Sequence, residues 1–232
     1  MIYVTSDIHG NRRRFDSILE QINLKKNDTL YILGDVVDRH PDGINILLQI
    51  MKTPNIKMLL GNHEYMMLKA LESPYPLTPL LLWFRNGGEV TLDHLNLLSE
   101  KEKDEIVSFL KSLPLYYEVK IRKKRYKLIH ASIEENFTHS SDFANKTEYA
   151  LFERVYPTDD LPSGFIYVIG HTPVCYFTGK RDMKIMVGED RIYIDCGSGF
   201  PEKSDPNYSR YPGEGKLACL RLNDMKEFYS DE

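Results

Sequence analysis

The sequence predicts a fold of the α/β class. Two observations carry that prediction. Short strand-like apolar runs alternate with amphipathic helical patterns in the N-terminal part of the chain, which implies βαβ units. Five of those runs are also followed within three residues by Asp, Asn or His, the position where open α/β sheets bind their ligands.

The strand-like runs are residues 2–4, 30–33, 57–60, 127–129, 166–169 and 192–194, most of them rich in Ile, Val, Leu or Tyr. Between the early ones lie two helical patterns. Arg12–Ile22 sets Phe15, Ile18, Leu19 and Ile22 on one face, and residues 44–51 repeat the spacing with Ile44, Leu47, Leu48 and Met51. Residues 65–113 are helical in pattern and broken early by Pro74, Pro76 and Pro79. They read as a helical insertion in one domain spanning residues 1–232. From Tyr116 onward the strands follow without long helices. Residues 184–187 and 191–195 about Gly188, and 217–222 and 227–229 about Asn223-Asp224, read as hairpins. The basic run at 122–125 reads as a solvated hairpin tip.

Composition narrows the class. At 42% hydrophobic and 28% charged, the 232-residue chain is ordinary globular material with ample length for a core. No apolar run approaches the ~20 residues that span a bilayer, and MIYVTSDIHG reads as a first strand, not a signal peptide. A net charge of −4 argues against salt-driven nucleic-acid binding but leaves room for a local anion site. Cys175, Cys196 and Cys219 are few, odd in number and widely spaced. They read as buried thiols in a reducing cytoplasm, with no disulfide framework.

The chemistry lies after the strands. Residues 2–4 lead into Thr5-Ser6-Asp7-Ile8-His9-Gly10, and 30–33 into Gly34-Asp35-Val36-Val37-Asp38-Arg39. Residues 57–60 lead into Gly61-Asn62-His63-Glu64, 127–129 into His130, and 166–169 into Gly170-His171. A lone Asp-x-His is usually a turn and a lone buried His is usually hydrogen-bonded. Five coincidences of strand end and ligand type point to one crevice. The donors are oxygen and imidazole nitrogen without sulfur, which suits Mn²⁺, Fe or Zn²⁺ and is too imidazole-rich for ordinary Mg²⁺ or Ca²⁺ sites. They are too many for one ion. Two ions about 3.5–4 Å apart, bridged by a carboxylate, would use them all, lower the pKa of a bridging water and clamp a displacement at phosphorus.

These three motifs, in this order and followed by isolated histidines, resemble the phosphoprotein phosphatase family, most closely its small bacterial and phage members. The likeness runs from Asp7 to about Phe200 and includes Trp83-Phe84-Arg85-Asn86-Gly87-Gly88 with Thr91-Leu92. The resemblance implies a calcineurin-like metallophosphoesterase sandwich of two mixed β-sheets flanked by helices. It also implies roles. Asp7 and His9 would bind a first metal, Asp35 would bridge, and Asn62, His130 and His171 would hold a second, with Mn²⁺ the first choice. His63 would be the general acid and Asp38 would keep it cationic. Arg39 would grip the phosphate, with Asn62 beside it. Arg154, in Phe152-Glu153-Arg154, would be the second phosphate arginine, its alternative being an ion pair with Glu148 or Glu153. Guanidinium suits bidentate phosphate binding, and histidine suits proton donation near neutrality.

The chain departs from the family pattern at Ser6, at His40, and at Ala131-Ser132 after His130. His40 is expected in a solvated loop before Pro41, its alternative being a place on the pocket rim. Asp195, also at a strand end, is expected to cap a turn, outside the metal set. The resemblance implies hydrolysis of a phosphomonoester, on a phosphoprotein or a small phosphoester, without a phosphoenzyme. Two rivals stand beside a serine/threonine protein phosphatase. One is a symmetrical diadenosine tetraphosphate hydrolase or other phosphodiesterase; the other is a non-catalytic binding protein that kept the fold. Native metal and oligomeric state are left open.

Overall fold

The structure is a computed structural model that describes residues 1–73, 77–138, 143–203, 205–206 and 208–230. In chain order it runs β1 (Ile2–Thr5), α1 (Arg12–Ile22), β2 (Thr29–Ile32), α2 (Gly43–Met51) and β3 (Ile56–Met58). Four helices follow: α3 (Asn62–Glu72), α4 (Leu77–Arg85), α5 (Glu89–Leu95) and α6 (Glu100–Ser112). Then come β4 (Tyr116–Ile121), β5 (Lys124–Ile129), α7 (Lys146–Phe152), β6 (Ile166–Ile169) and α8 (Cys175–Thr178). The chain finishes with β7 (Met186–Val187), β8 (Arg191–Tyr193), β9 (Ala218–Arg221) and β10 (Lys226–Tyr229).

Among the described residues two mixed five-stranded sheets result, in the orders β10-β9-β1-β2-β3 and β4-β5-β6-β8-β7. Each has three parallel strands: β1, β2 and β3 in one, β5, β6 and β8 in the other. Strand alternation divides the core. Tyr3, Leu30 and Ile32 face a helical layer that includes Phe15, Ile18, Ile44 and Leu47. Val4, Tyr31 and Leu33 face the opposite way and join Leu128, Val168, Ile192 and Leu220 between the sheets. The expected two-sheet sandwich is therefore observed.

The amphipathic reading of α1 holds: Asn11 caps it by accepting from the Arg14 N–H at 3.1 Å, and Phe15, Ile18 and Ile22 are buried. The face expected for α2 is rotated. Its buried residues are Gly43, Ile44, Ile46, Leu47 and Ile50, while Leu48 and Met51 are only partly covered. The helix is apolar nearly all round, so spacing alone did not choose its inner side. The helical stretch begins at Asn62, three residues before the expected start at Tyr65. Pro79 falls in the first turn of α4, where its missing N–H costs nothing; Pro74 and Pro76 lie outside the described residues. Both late hairpins and the turn between β4 and β5 form as expected.

Candidate metal and phosphate site

Parallel pairing brings the carboxyl ends of the parallel strands of both sheets to one edge. Asp7 follows β1, Asp35 follows β2, Asn62 follows β3, His130 follows β5 and His171 follows β6. The loops after β1 and β2 run in step, with N–H to C=O bonds from Asp7 to Gly34, His9 to Asp35 and Gly10 to Val36 at 2.7–3.1 Å. The lockstep holds the backbone in an unusual state. Asp7, His9, Asp35, Asp38, Arg39 and His171 all have φ between 51° and 75°. Left-handed backbone costs L residues roughly 1–2 kcal/mol each and gathers where function requires it.

Four imidazoles meet Asp35 and Asn62. The Nε2 atoms of His9 and His63 lie 3.7 and 3.9 Å from Asp35 Oδ2, and that of His130 lies 3.6 Å from Asp35 Oδ1. His130 Nε2 and His171 Nδ1 stand 2.8 and 3.0 Å from Asn62 Oδ1. Two clusters share Asp35: one with His9 and His63, the other with His130 and His171. Asp7 belongs to neither; its carboxylate accepts from the Ser6 hydroxyl and from the His171 N–H at 2.9 Å. Ser6 thereby braces the neighbouring carboxylate, and Gly170 leaves room for both: a Cβ there would sit 2.1 Å from Ser6 Oγ.

The donor chemistry fits divalent cations. His9 Nδ1 and His130 Nδ1 face the carbonyls of Val37 and Leu33 at 3.1 and 2.7 Å. A carbonyl only accepts, so these nitrogens carry the protons. In a ring that carries one proton, the other nitrogen then turns a lone pair toward an oxygen acceptor. Acceptor facing acceptor is unfavourable unless a cation lies between, and a backbone carbonyl fixing the tautomer is usual for metal-ligating histidines. Burial holds His9 and His171 well below the ordinary histidine range, so both are neutral and ready to ligate at pH 7. Burial also drives Asp35 and Asp195 well above the carboxylate range, aided by the Asp7 charge. That is the state of carboxylates lacking a counter-cation. Asp195 Oδ1 accepts from the Gly197 N–H at 2.8 Å, the cap expected of it, yet the side chain is buried close to the same charges.

His63 differs from the other three. Its Nδ1 meets Asp38 Oδ2 at 2.7 Å, and its Nε2 meets Arg39 Nη2 at 3.2 Å. Burial pushes Asp38 up to about 7 and His63 down to about 4. A guanidinium only donates, so in this arrangement Nε2 accepts from Arg39 and the shared proton lies between Nδ1 and Oδ2. Nε2 is the atom that faces the cleft, where a departing oxygen would need a proton once Arg39 turns away.

Arg39 and Arg154 line one open cleft of about 830 Å³ with Asp35, Asn62, His63 and His171. Both side chains are exposed to that cleft. The Arg154 guanidinium stacks 5.9 Å from the Tyr176 ring and makes no ion pair among the described residues, while the Glu148 carboxylate is taken by the Tyr65 hydroxyl. His40 lines the cleft too, half-buried, with Nε2 lacking a hydrogen-bond partner among the described residues. Of the two expected placements, the pocket rim is the one observed, and the favoured solvated loop is corrected: Gly10 lets the chain pass so closely that its absent Cβ would meet the His40 carbonyl at 2.1 Å.

Four further residues shape the site without a signal in the motifs: Glu64, Trp83, Thr91 and Arg85. Glu64, fully buried, accepts from the N–H groups of Asp35, Val36, Val37 and Gly61 at 2.8–3.1 Å and ties the second motif to the third. Trp83 and Thr91 bond to Asp38, and Arg85 joins the cleft wall. A chain's single tryptophan beside a Gly-Gly pair was the available signal for Trp83.

The calcineurin-like phosphoesterase family profile matches residues 1–195. The chain belongs to that family. It is 28% identical over 225 residues to serine/threonine-protein phosphatase 2 of Escherichia coli K12, covering 95% of this chain and 92% of that one. It is 32% identical over 165 residues to the symmetrical bis(5'-nucleosyl)-tetraphosphatase of Wigglesworthia glossinidia brevipalpis, covering 66% of this chain and 53% of the relative. A solved metallophosphoesterase from Sphaerobacter thermophilus superposes with a TM-score of 0.55 at 17% identity, covering 98% of this chain and 86% of that one. The motif resemblance to bacterial phosphoprotein phosphatases is borne out. The protein is a metallophosphatase, a hydrolase of phosphoric esters, and the non-catalytic reading falls. No helix among the described residues is long and apolar enough to cross a membrane.

Proposed function

We propose that the protein is a serine/threonine protein phosphatase that transfers the phosphoryl group directly to water. Asp7, His9, Asp35, Asn62, His130 and His171 would hold two divalent ions, with Mn²⁺ the first choice and Fe or Zn²⁺ its alternatives. Such ions, when bound, supply Lewis acidity to the attacking water and to the phosphoryl oxygens. The protein's own groups do the rest. Arg39 and Arg154 bind the phosphate from the cleft side, their guanidinium planes matching its oxygens. Once Arg39 turns from His63 Nε2 to the phosphate, that nitrogen carries the proton for the leaving oxygen, and Asp38 fixes the ring through Nδ1. The observation that carries the reading is this dyad: a buried imidazole with Nδ1 2.7 Å from a carboxylate, Nε2 3.2 Å from a cleft arginine and 3.9 Å from Asp35.

The serine/threonine choice rests on coverage. The match to the Escherichia coli phosphatase spans 92% of that protein, whereas the tetraphosphatase match spans 53%. A specific observation favours the second reading, symmetrical cleavage of a dinucleoside tetraphosphate. Arg39, Arg85 and Arg154 face the same cleft as Phe84 and Tyr176, which suits a polyphosphate carrying bases that stack. Steady-state rates with Mn²⁺ on phosphoserine peptides, phosphotyrosine peptides and diadenosine tetraphosphate decide between them. The proposal expects kcat/KM highest on phosphoserine peptides. A preference for the dinucleotide of tenfold or more would replace it with the second reading.

A further inference from the structure

Asp38 is 0% exposed, and its carboxylate is saturated by donors. Oδ2 meets His63 Nδ1 at 2.7 Å and accepts from Trp83 Nε1 at 2.9 Å. Oδ1 accepts from the Thr91 hydroxyl at 2.7 Å and from Trp83 Nε1 at 3.0 Å. The same Thr91 oxygen accepts the Asp38 backbone N–H at 3.0 Å. Thr91 thus grips both the backbone and the carboxylate of one residue. The next residue is held from the same segment, since the Arg39 N–H donates to the Gly87 carbonyl at 3.0 Å. These contacts fix two successive left-handed residues, Asp38 at φ 75° and Arg39 at φ 69°. Gly88 lets the turn between α4 and α5 close over the indole: a Cβ there would lie 2.4 Å from Trp83 Nε1.

An indole N–H donates and never accepts. Facing it, Asp38 is favoured as the anionic acceptor, which leaves the shared proton on His63 Nδ1 and the ring aimed through Nε2 at the cleft. We propose that Trp83 and Thr91 are positioning residues for proton donation, a device by which the helical stretch between β3 and β4 sets the orientation of the His63–Asp38 pair. The inference rests on the reading of His63 as the acid.

The test uses the full-length Mn²⁺-loaded protein with metal content checked in every variant. The rates compared are kcat on a phosphoserine peptide, whose alkoxide leaving group needs a proton, and on p-nitrophenyl phosphate, whose leaving group needs it far less. Thr91→Val keeps shape and removes the hydroxyl; Thr91→Ser keeps the hydroxyl; Trp83→Phe removes the indole donor. Small displacements of a reacting group cost up to about 100-fold. Thr91→Val and Trp83→Phe should therefore lose about 10- to 100-fold in kcat on the peptide and clearly less on p-nitrophenyl phosphate. KM should stay nearly constant, and Thr91→Ser should recover most of the loss. Thr91→Val carries the test if Trp83→Phe folds poorly. Trp83 is the only tryptophan in the chain, so its emission reports the contact directly and should shift in Asp38→Asn.

His63→Asn separates the two readings. Equal losses on both substrates in His63→Asn, with metals intact, would sink the acid reading, and the emission measurement would then still decide whether Trp83 is coupled to Asp38. A leaving-group-dependent loss in His63→Asn that is missing from Thr91→Val and Trp83→Phe would overturn the positioning inference alone. So would an emission spectrum indifferent to Asp38→Asn.

Discussion

Asp35 is the residue on which the candidate site turns. Its Oδ2 faces His9 and His63, and its Oδ1 faces His130 while accepting the His63 backbone N–H at 3.0 Å. Gly61 makes that approach possible, since a Cβ there would lie 2.2 Å from Asp35 Oδ1. A carboxylate with one oxygen toward each histidine cluster is placed to bridge two cations. Asp35→Asn keeps the volume, removes the charge and turns an amide N–H₂ toward one cluster. The expected outcome is loss of at least one bound ion by metal analysis, loss of turnover, and an unchanged far-UV circular dichroism spectrum. A variant that retains both ions and near-parental kcat would show that Asp35 is not the bridge.

At the scale of elements, the strand ends were legible because the signals are local: an apolar run, a glycine, then a ligand-type side chain. The α3 start was less legible. Asn62 and His63 read as loop residues after a strand, yet they form the first turn of a helix, because Glu64 reaches back to the Gly61 N–H and anchors that turn. The Trp83 and Thr91 contacts were not legible at all. They depend on a turn meeting Asp38 from 45 and 53 residues away, and periodicity carries no such information. For the same reason the sequence left His40 between a solvated loop and the pocket rim, its cover coming from distant chain. Glu64 shows how tightly two elements can depend on one buried group. Glu64→Gln leaves an N–H₂ facing two of the four N–H donors now bound by a carboxylate. Unsatisfied buried donors cost ~1–3 kcal/mol each. Destabilisation of about 2–5 kcal/mol is expected in urea unfolding of the metal-free protein, with weaker metal binding. A midpoint equal to the parent's would mean that the Glu64 contacts do not tie α3 to the loop after β2.

For the whole molecule, the two sheets are complete without the site, but the edge where they meet concentrates uncompensated charge. Asp7, Asp35 and Asp195 are 1–2% exposed, and burial together with mutual repulsion raises Asp35 and Asp195 well above their ordinary value of 3.8. A carboxyl raised in the folded state stabilises that state below its unfolded pKa and loses the contribution as pH rises through the folded value. Near pH 7 the cation-free site therefore opposes folding. Divalent ions that bind only the folded chain reverse this by mass action, by ~2.7 kcal/mol for each site held at 100 times its Kd. For a chain of this size each kcal/mol moves Tm by roughly 2–4 °C. Chelation at neutral pH should consequently lower Tm by about 5–10 °C per ion removed and abolish hydrolysis, and Mn²⁺ should restore both in parallel. In Asp35→Asn the added Mn²⁺ should recover much less of the Tm, because one charge that opposes folding, and that the ions neutralise, is gone. A Tm indifferent to chelation, or full hydrolysis by a rigorously metal-free sample, would end the dinuclear reading while leaving the fold untouched.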